Sequence, residues 1–446
     1  MMKQYDSYKD SGVEWIGKIP SHWEVVPLKR KMRIIRGGSP RPIEKYLSNN
    51  GYNWIKIGDT IKGDKYIRST SQKIKTEGLS ATRLVRRGDL ILSNSMSFGE
   101  PYIIELEEGC IHDGWLSLSH LNDVDKEFLY YTLLSDLCKK QFESSVDGGV
   151  VKNLNIDKAG YAIIFIPPIS EQRSLVSYLD EKCGKIDKAI ATQEKRVELL
   201  KELRQNIITQ VVTRGINPNA PLKHSGVEWI GEVPEHWEIK RIKHVINLLT
   251  DYDANGSFAD IAKNCKVNEG EPYAWMVRST DLENKRYGIV DGNNYCDLST
   301  YKYLAKSSLK ANDILIAKRG EIGKSYLVPQ CEDPMTLAPN TYLLLTKKDV
   351  IDNIFFFNYL QSCGGVENLR ILNKSTTLGA LYKDDVKAMQ IPVPPLSEQQ
   401  EIVSYIESKT ARLDASIEKA EHQIELLQEL KQSIITEVVT GKRKVV

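Results

Sequence analysis

The stretch "RIIRGGSPRP" (Arg33–Pro42) sets arginines on both sides of a Gly-Gly-Ser turn. A planar guanidinium can grip a guanine edge or two phosphate oxygens at once, and glycine lets a backbone come close to a phosphate. Arg36, Ser39 and Arg41 are therefore candidate nucleic-acid contacts. "IKIGDTIKGDKYIRS" (Ile55–Ser69) adds Lys56 and Lys62, and "SNSMSFG" (Ser93–Gly99) adds Asn94, whose amide suits adenine, and Ser95. Far along the chain, "VRSTDLENKR" (Val277–Arg286) offers Arg278 and Ser279, and "AKRGEIGKS" (Ala317–Ser325) offers Lys318, Arg319 and Lys324. Any one of these loops taken singly reads first as a solvated turn. Their recurrence beside strand-like runs in both halves of the chain favours contact with nucleic-acid bases and phosphates.

Other chemistry is missing from the sequence. "RGEIGKS" lacks the first glycine of a phosphate-binding loop, since Lys318 stands where it belongs. No G-x-G-x-x-G follows a strand, and "APNTY" (Ala338–Tyr342) is not the Asn-Pro-Pro-aromatic motif of an adenine methyltransferase. The seven histidines show no ligand spacing, and seven scattered cysteines form no C-x-x-C pair. No catalysis, metal or cofactor is expected of this chain alone. No run of apolar residues is long enough to span a membrane and the N-terminus has no apolar signal region, so a cytoplasmic protein is expected. A net charge of +2 on 446 residues rules out a grossly basic tail but not local patches.

The elements that would position these loops are written twice. "SGVEWIGKIPSHWEV" (Ser11–Val25) returns as "SGVEWIGEVPEHWEI" (Ser225–Ile239), and "PPISEQ" (Pro167–Gln172) returns as "PPLSEQ" (Pro394–Gln399). His22, His236 and the tryptophans at 15, 23, 229 and 237 are copied intact and read as packing elements of this frame. Between the frames lie dissimilar regions with short strand-like runs, "GYNWIKI" (Gly51–Ile57), "DLILSN" (Asp89–Asn94) and "DILIAK" (Asp313–Lys318), followed by helical patterns near Lys126–Leu137 and Asp352–Gln361. A constant frame around variable regions suits two binding surfaces with different targets.

Each "PP-x-SEQ" opens a long helix. Ser170 and Ser397 are expected N-caps, Ser397 with Gln400 fits a capping box, and Gly184 is a candidate break in the first helix. Apolar residues at alternating spacings of four and three form a coiled-coil seam: Ile186, Ile190, Val197, Leu200, Ile207 and Val211, then Leu413, Ile417, Ile424, Leu427, Ile434 and Val438. It is interrupted at Gln193 and Arg204, matched by Ala420 and Lys431. Leu199, Leu203, Leu426 and Leu430 widen it beyond what one partner helix would cover. Only a short linker follows the first helix, so the second must run back along it. The expected fold is α+β: two globular mixed domains joined by a pair of long antiparallel coiled-coil helices, with an internal pseudo-twofold repeat. The expected segments are a domain over 1–166, a helix over 167–215, a second domain over 216–393, and a second helix with its tail over 394–446.

The "G-V-E-W-I-G-x-x-P-x-H-W-E" frames, the "P-P-x-S-E-Q" helix starts and the two variable domains together resemble the specificity subunit of type I restriction–modification systems, over nearly the whole chain. The resemblance implies a non-catalytic subunit whose variable regions, here Val25–Ile166 and Ile239–Pro392, read the two halves of a split target in double-stranded DNA. It also implies that the helices space those domains and dock two methyltransferase subunits, which restriction subunits then join. The variable loops match no family motif residue by residue. A free-standing DNA-binding regulator and a coiled-coil scaffold binding proteins at both ends remain as alternatives. The wide apolar helix stripe and the two unlike variable regions argue against the regulator.

Overall fold

The computed structural model describes residues 4–61, 63–95, 98–145, 153–320, 322–373 and 379–445. Met1–Glu194 with Glu421–Val446 make one compact unit, and Lys195–Ala420 make the other. Each holds one mixed α+β domain and a stretch of both long helices.

In the first unit, one sheet orders its strands Arg33–Arg36, Trp115–Ser119, Leu90–Ser93, Pro101–Ile104 and Tyr66–Ile67. The other sheet orders Leu47–Ser48, Gln72–Ile74, Tyr52–Ile55, Glu108–Ile111 and Arg83–Arg86. The central strand "LILS" is buried throughout because alternate residues feed different cores. Leu90 and Leu92 pack with Phe128, Leu133 and Phe142 of the helices Lys126–Leu134 and Asp136–Ser144. Ile91 points the other way, to Ile55, Val85 and Ile111 of the second sheet.

The second unit repeats this plan with shorter sheets. Ile246–Asp251, Thr341–Thr346, Ile314–Ala317 and Ser325–Leu327 form one, and Tyr295–Cys296, Ala274–Val277, Met335–Leu337 and Ser308–Leu309 form the other. Ile314 and Ile316 join the core with Phe355 and Phe356, while Leu315 joins Trp275 and Leu337.

The repeated motifs meet one another. Glu171 of "SEQ" is gripped by His22 (Nε2 to Oε2, 2.8 Å) and by the Trp23 indole N–H (3.3 Å). Glu398 is gripped likewise by His236 at 2.8 Å and Trp237 at 3.1 Å. The neighbouring glutamines are fully buried. Gln172 donates to the carbonyls of Asp123 and Pro167 and accepts from Asp125 N–H; Gln399 donates to Val350 and Pro394 and accepts from Asp352 N–H. Each domain also holds the returning helix. Gln432 and Thr436 bond Leu134 O and Asp136 N–H, and Gln205 and Thr209 bond Gln361 O and Cys363 N–H. The motifs are therefore two copies of one clasp between domain and helices.

The long helices span Ile169–Arg214 and Leu396–Val439. They run antiparallel: Asp187 meets Lys431 at 2.7 Å and Arg204 meets Asp414 at 2.8 Å. The charged residues that interrupt the seam are thus cross-helix ion pairs. Two expectations need correction. The first helix continues through Gly184, which lies in open space, because packing of the rest of the helix outweighs the roughly 1 kcal/mol helix penalty of one glycine. Ser170 and Ser397 are not caps. The first i→i−4 bonds close onto Pro168 O and Pro395 O, which places each serine one residue inside its helix. Each second proline caps instead, and no capping box from Ser397 can form.

Candidate nucleic-acid interface

In the first domain the sequence-selected residues converge on one acid that the sequence did not single out, Asp113. Arg36 ends its strand and donates from Nε to Asp113 O at 3.0 Å. Ser39 Oγ donates to Asp113 Oδ1 at 2.9 Å, and Arg41 Nη2 lies 3.6 Å from Oδ2. The Asn94 amide donates to Asp113 O at 2.9 Å. Burial pulls the Asp113 carboxyl upward in pKa, but the Ser39 hydroxyl and His112 outweigh it and hold it below the usual carboxylate range.

Gly37 and Gly38 have a different role from the one their sequence suggests. A Cβ on Gly37 would lie 2.1 Å from His112 O, and one on Gly38 2.3 Å from Ala81 O. Their N–H groups donate to Trp115 O and Ile111 O, so they fold the loop against the domain and offer nothing to a phosphate. Asn94 is 1% exposed, which makes it a loop-positioning group; Arg36 and Arg41 are exposed, and Ser39, Lys56 and Ser95 half-buried. Lys62 lies outside the described residues.

Arg41 and Lys56 flank a cleft of about 790 Å³ floored by Trp54 and His112. The His112 ring faces the N–H groups of Ile57 at 3.2 Å and Gly114 at 2.7 Å. A neutral imidazole can accept from one of these, a protonated one from neither. Burial accordingly pushes the His112 pKa down, against the pull of Asp113.

In the second domain three of the selected cations, Arg278, Lys318 and Lys324, are held by carboxylates. Arg278 lies 2.6 Å from the buried Asp281 and also donates to Gly292 O at 2.7 Å. Lys56 and Arg278 are equivalent: each caps a short helical turn whose third residue, Asp59 or Asp281, bonds back to the capping N–H. Ser279 opens that turn in the second domain. Lys324 pairs with Glu283 at 2.9 Å. Lys318 sits between Asp251 (2.7 Å) and Asp253 (2.6 Å), and Lys383 takes the other Asp251 oxygen at 2.7 Å. Burial raises the Asp251 pKa, but the two lysines outweigh it and keep the carboxyl ionised. Arg319 is exposed on the next residue. Asp113, Asp251 and Lys383 leave no sign in the sequence because their hydrogen-bond partners lie from 19 to 132 residues away, where no local spacing reports them.

Along the helices, Ile417 and Ile434 are buried, and Ile190, Val197, Leu200, Ile207, Ile424 and Leu427 half-buried. Leu199 (54%), Leu203 (47%), Leu426 (49%) and Leu430 (48%) stay exposed, as the extra width of the stripe requires. Among the described residues no helix is long and apolar enough to cross a membrane.

Two recognition-type domains on one duplicated clasp, with unlike charged loops, define a class of internally repeated binding subunit. The chain belongs to the family of type I restriction modification DNA specificity domains, which it matches over residues 20–210 and 234–426. It is 26% identical over 444 residues to the putative type I restriction enzyme MjaX specificity subunit of Methanocaldococcus jannaschii, covering 96% of each chain. It is 23% identical to the EcoBI specificity subunit of Escherichia coli, covering 97% of this chain and 89% of that one. A solved chain from work on complex assembly and conformational transition of the type I R-M system shares the fold, with TM-score 0.67 and 18% identity over 95% of this chain and 99% of that one. The chain is a type I restriction–modification specificity subunit.

Proposed function

We propose that this subunit reads a split target in double-stranded DNA, one half with each domain, and holds two methyltransferase subunits on its helix pair, to which restriction subunits are added. The recognition domains are taken as 1–166 and 216–393 and the helices as 167–215 and 394–446. The chain itself performs no chemistry and takes no cofactor; the assembled complex would methylate adenine N6 and cleave DNA with ATP.

The observation that carries this reading is the contrast between clasp and loops. The histidine and tryptophan bonds of the clasp recur at Glu171 and Glu398, while Arg36, Ser39 and Arg41 around Asp113 have no chemical counterpart in the second domain. Selection for a fixed placement with free contacts fits two half-sites of different sequence. Arg36, Ser39, Arg41, Lys56, Lys62 and Ser95 in the first domain and Arg278, Ser279, Lys318, Arg319 and Lys324 in the second are proposed at the DNA, with Asn94 positioning its loop. The exposed leucines 199, 203, 426 and 430 support docking of partner subunits. Methylation-sensitive sequencing of the host genome with and without this gene tests the function. Loss of one bipartite methylated motif on deletion is expected; an unchanged methylome would contradict it.

A further inference from the structure

Strand register gives the two domains a common coordinate. In the first, Arg36 stands opposite Leu116, and Leu116 opposite Leu92. In the second, Asp251 stands opposite Tyr342, and Tyr342 opposite Ile316. These are the same row of the same sheet. Two residues beyond it, Asn94 N–H donates to Gly114 O at 2.9 Å and Lys318 N–H to Asn340 O at 2.8 Å. Arg36 and Asp251 therefore occupy one backbone position, and Asn94 and Lys318 another.

The chemistry at these positions is inverted. In the first domain the strand ends in a cation, and the neighbouring position holds a buried neutral amide. In the second the strand ends in a carboxylate, and the neighbouring position holds a cation bonded to it at 2.7 Å. A base edge is distinguished by where donors and acceptors are presented to it. Moving the donor from one strand to the next on an unchanged backbone alters that presentation without altering placement.

We propose that this row end sets base preference in each domain, through Arg36 in the first and through Lys318 in the second. The inference rests on the DNA-reading function above. Among the described residues Arg36 bonds only through Nε, to Asp113 O, which leaves its two terminal nitrogens as a bidentate pair. Lys318 has three donor protons and, among the described residues, two carboxylate partners, which leaves one donor over while the carboxylates hold the ammonium in place. Asp251, with its side chain 6% exposed, is a positioning residue that aims Lys318 and Lys383 and does not itself meet a base.

The test selects the full chain against a duplex library randomised across both half-sites, at fixed salt, and sequences the bound pool. Arg36→Gln is expected to lower preference at one position of one half-site about tenfold or more, with the other half-site unchanged. Lys318→Gln is expected to do the same at one position of the other half-site. Lys383→Gln, on the same carboxylate but more exposed, is expected to alter that same position and gives the answer if Lys318→Gln unfolds. Lys302→Gln, on an exposed helix of the same domain, is expected to leave every preference as it was. Preferences unchanged in the row variants, or affinity lost alike for all sequences, would overturn the inference. A native chain that selects no sequence at all would instead overturn the DNA-reading function.

Discussion

Gln172 and Gln399 each satisfy two backbone carbonyls and one N–H that burial has cut off from water. Gln399→Ala leaves those groups without partners, which costs about 2 kcal/mol. Gln400→Ala, at the exposed neighbour, should change stability by less than about 0.5 kcal/mol. Urea unfolding of the full chain compares the two. His112 gives a pH signature. Its pKa is depressed in the fold, so the unfolded chain binds the proton more readily. The neutral ring contributes stability that is complete above the unfolded pKa of about 6.5 and is lost as pH falls through the folded value. Urea midpoints should therefore decline below pH 6.5, and His112→Gln should remove that part of the decline. The "HWE" and "SEQ" residues were legible in the sequence as a frame because they are written twice. Their bonds to each other were not, since a contact between residues about 150 apart leaves no spacing to read. The same limit hid Asp113 behind the arginines that it gathers.

The long helices were the most legible elements. A seam repeating over about forty residues fixes a helix and its buried stripe together. Their first turns depart from the sequence pattern: a serine before an apolar run signals a cap, whereas here the proline two residues earlier closes the first turn. The strands "DLILS" and "DILIA" were found from their apolar runs, but the sheet order was not, because register follows long-range pairing rather than local pattern. The exposed leucines lead to a prediction at this scale. Leu199→Gln with Leu203→Gln should leave thermal unfolding of the chain nearly unchanged, since both side chains are about half in water. The same pair should weaken association with methyltransferase subunits at least tenfold in a pull-down titration, because apolar area is lost at the proposed docking face. Unchanged association would remove this stripe from the interface.

At the scale of the molecule, each clasp fixes one domain to its own stretch of the long helices, and a fixed spacing between half-sites is the proposed consequence. Four residues inserted after Glu202 lengthen the first helix by about 6 Å and rotate its stripe by only about 40°. The unspecified gap in the methylated motif should then grow by one or two base pairs at roughly 3.4 Å each. Two inserted residues rotate the stripe by about 200° and should abolish assembly. A gap that stays the same while methylation persists would show that the helices do not set it. The central claim is that two unlike domains on one repeated frame read two independent half-sites. Its most direct measurement is the methylated motif of a host in which Val25–Ile166 has been replaced by the corresponding domain of another specificity subunit. One half of the motif should change, with the other half and the gap preserved; a change in both halves would contradict the account.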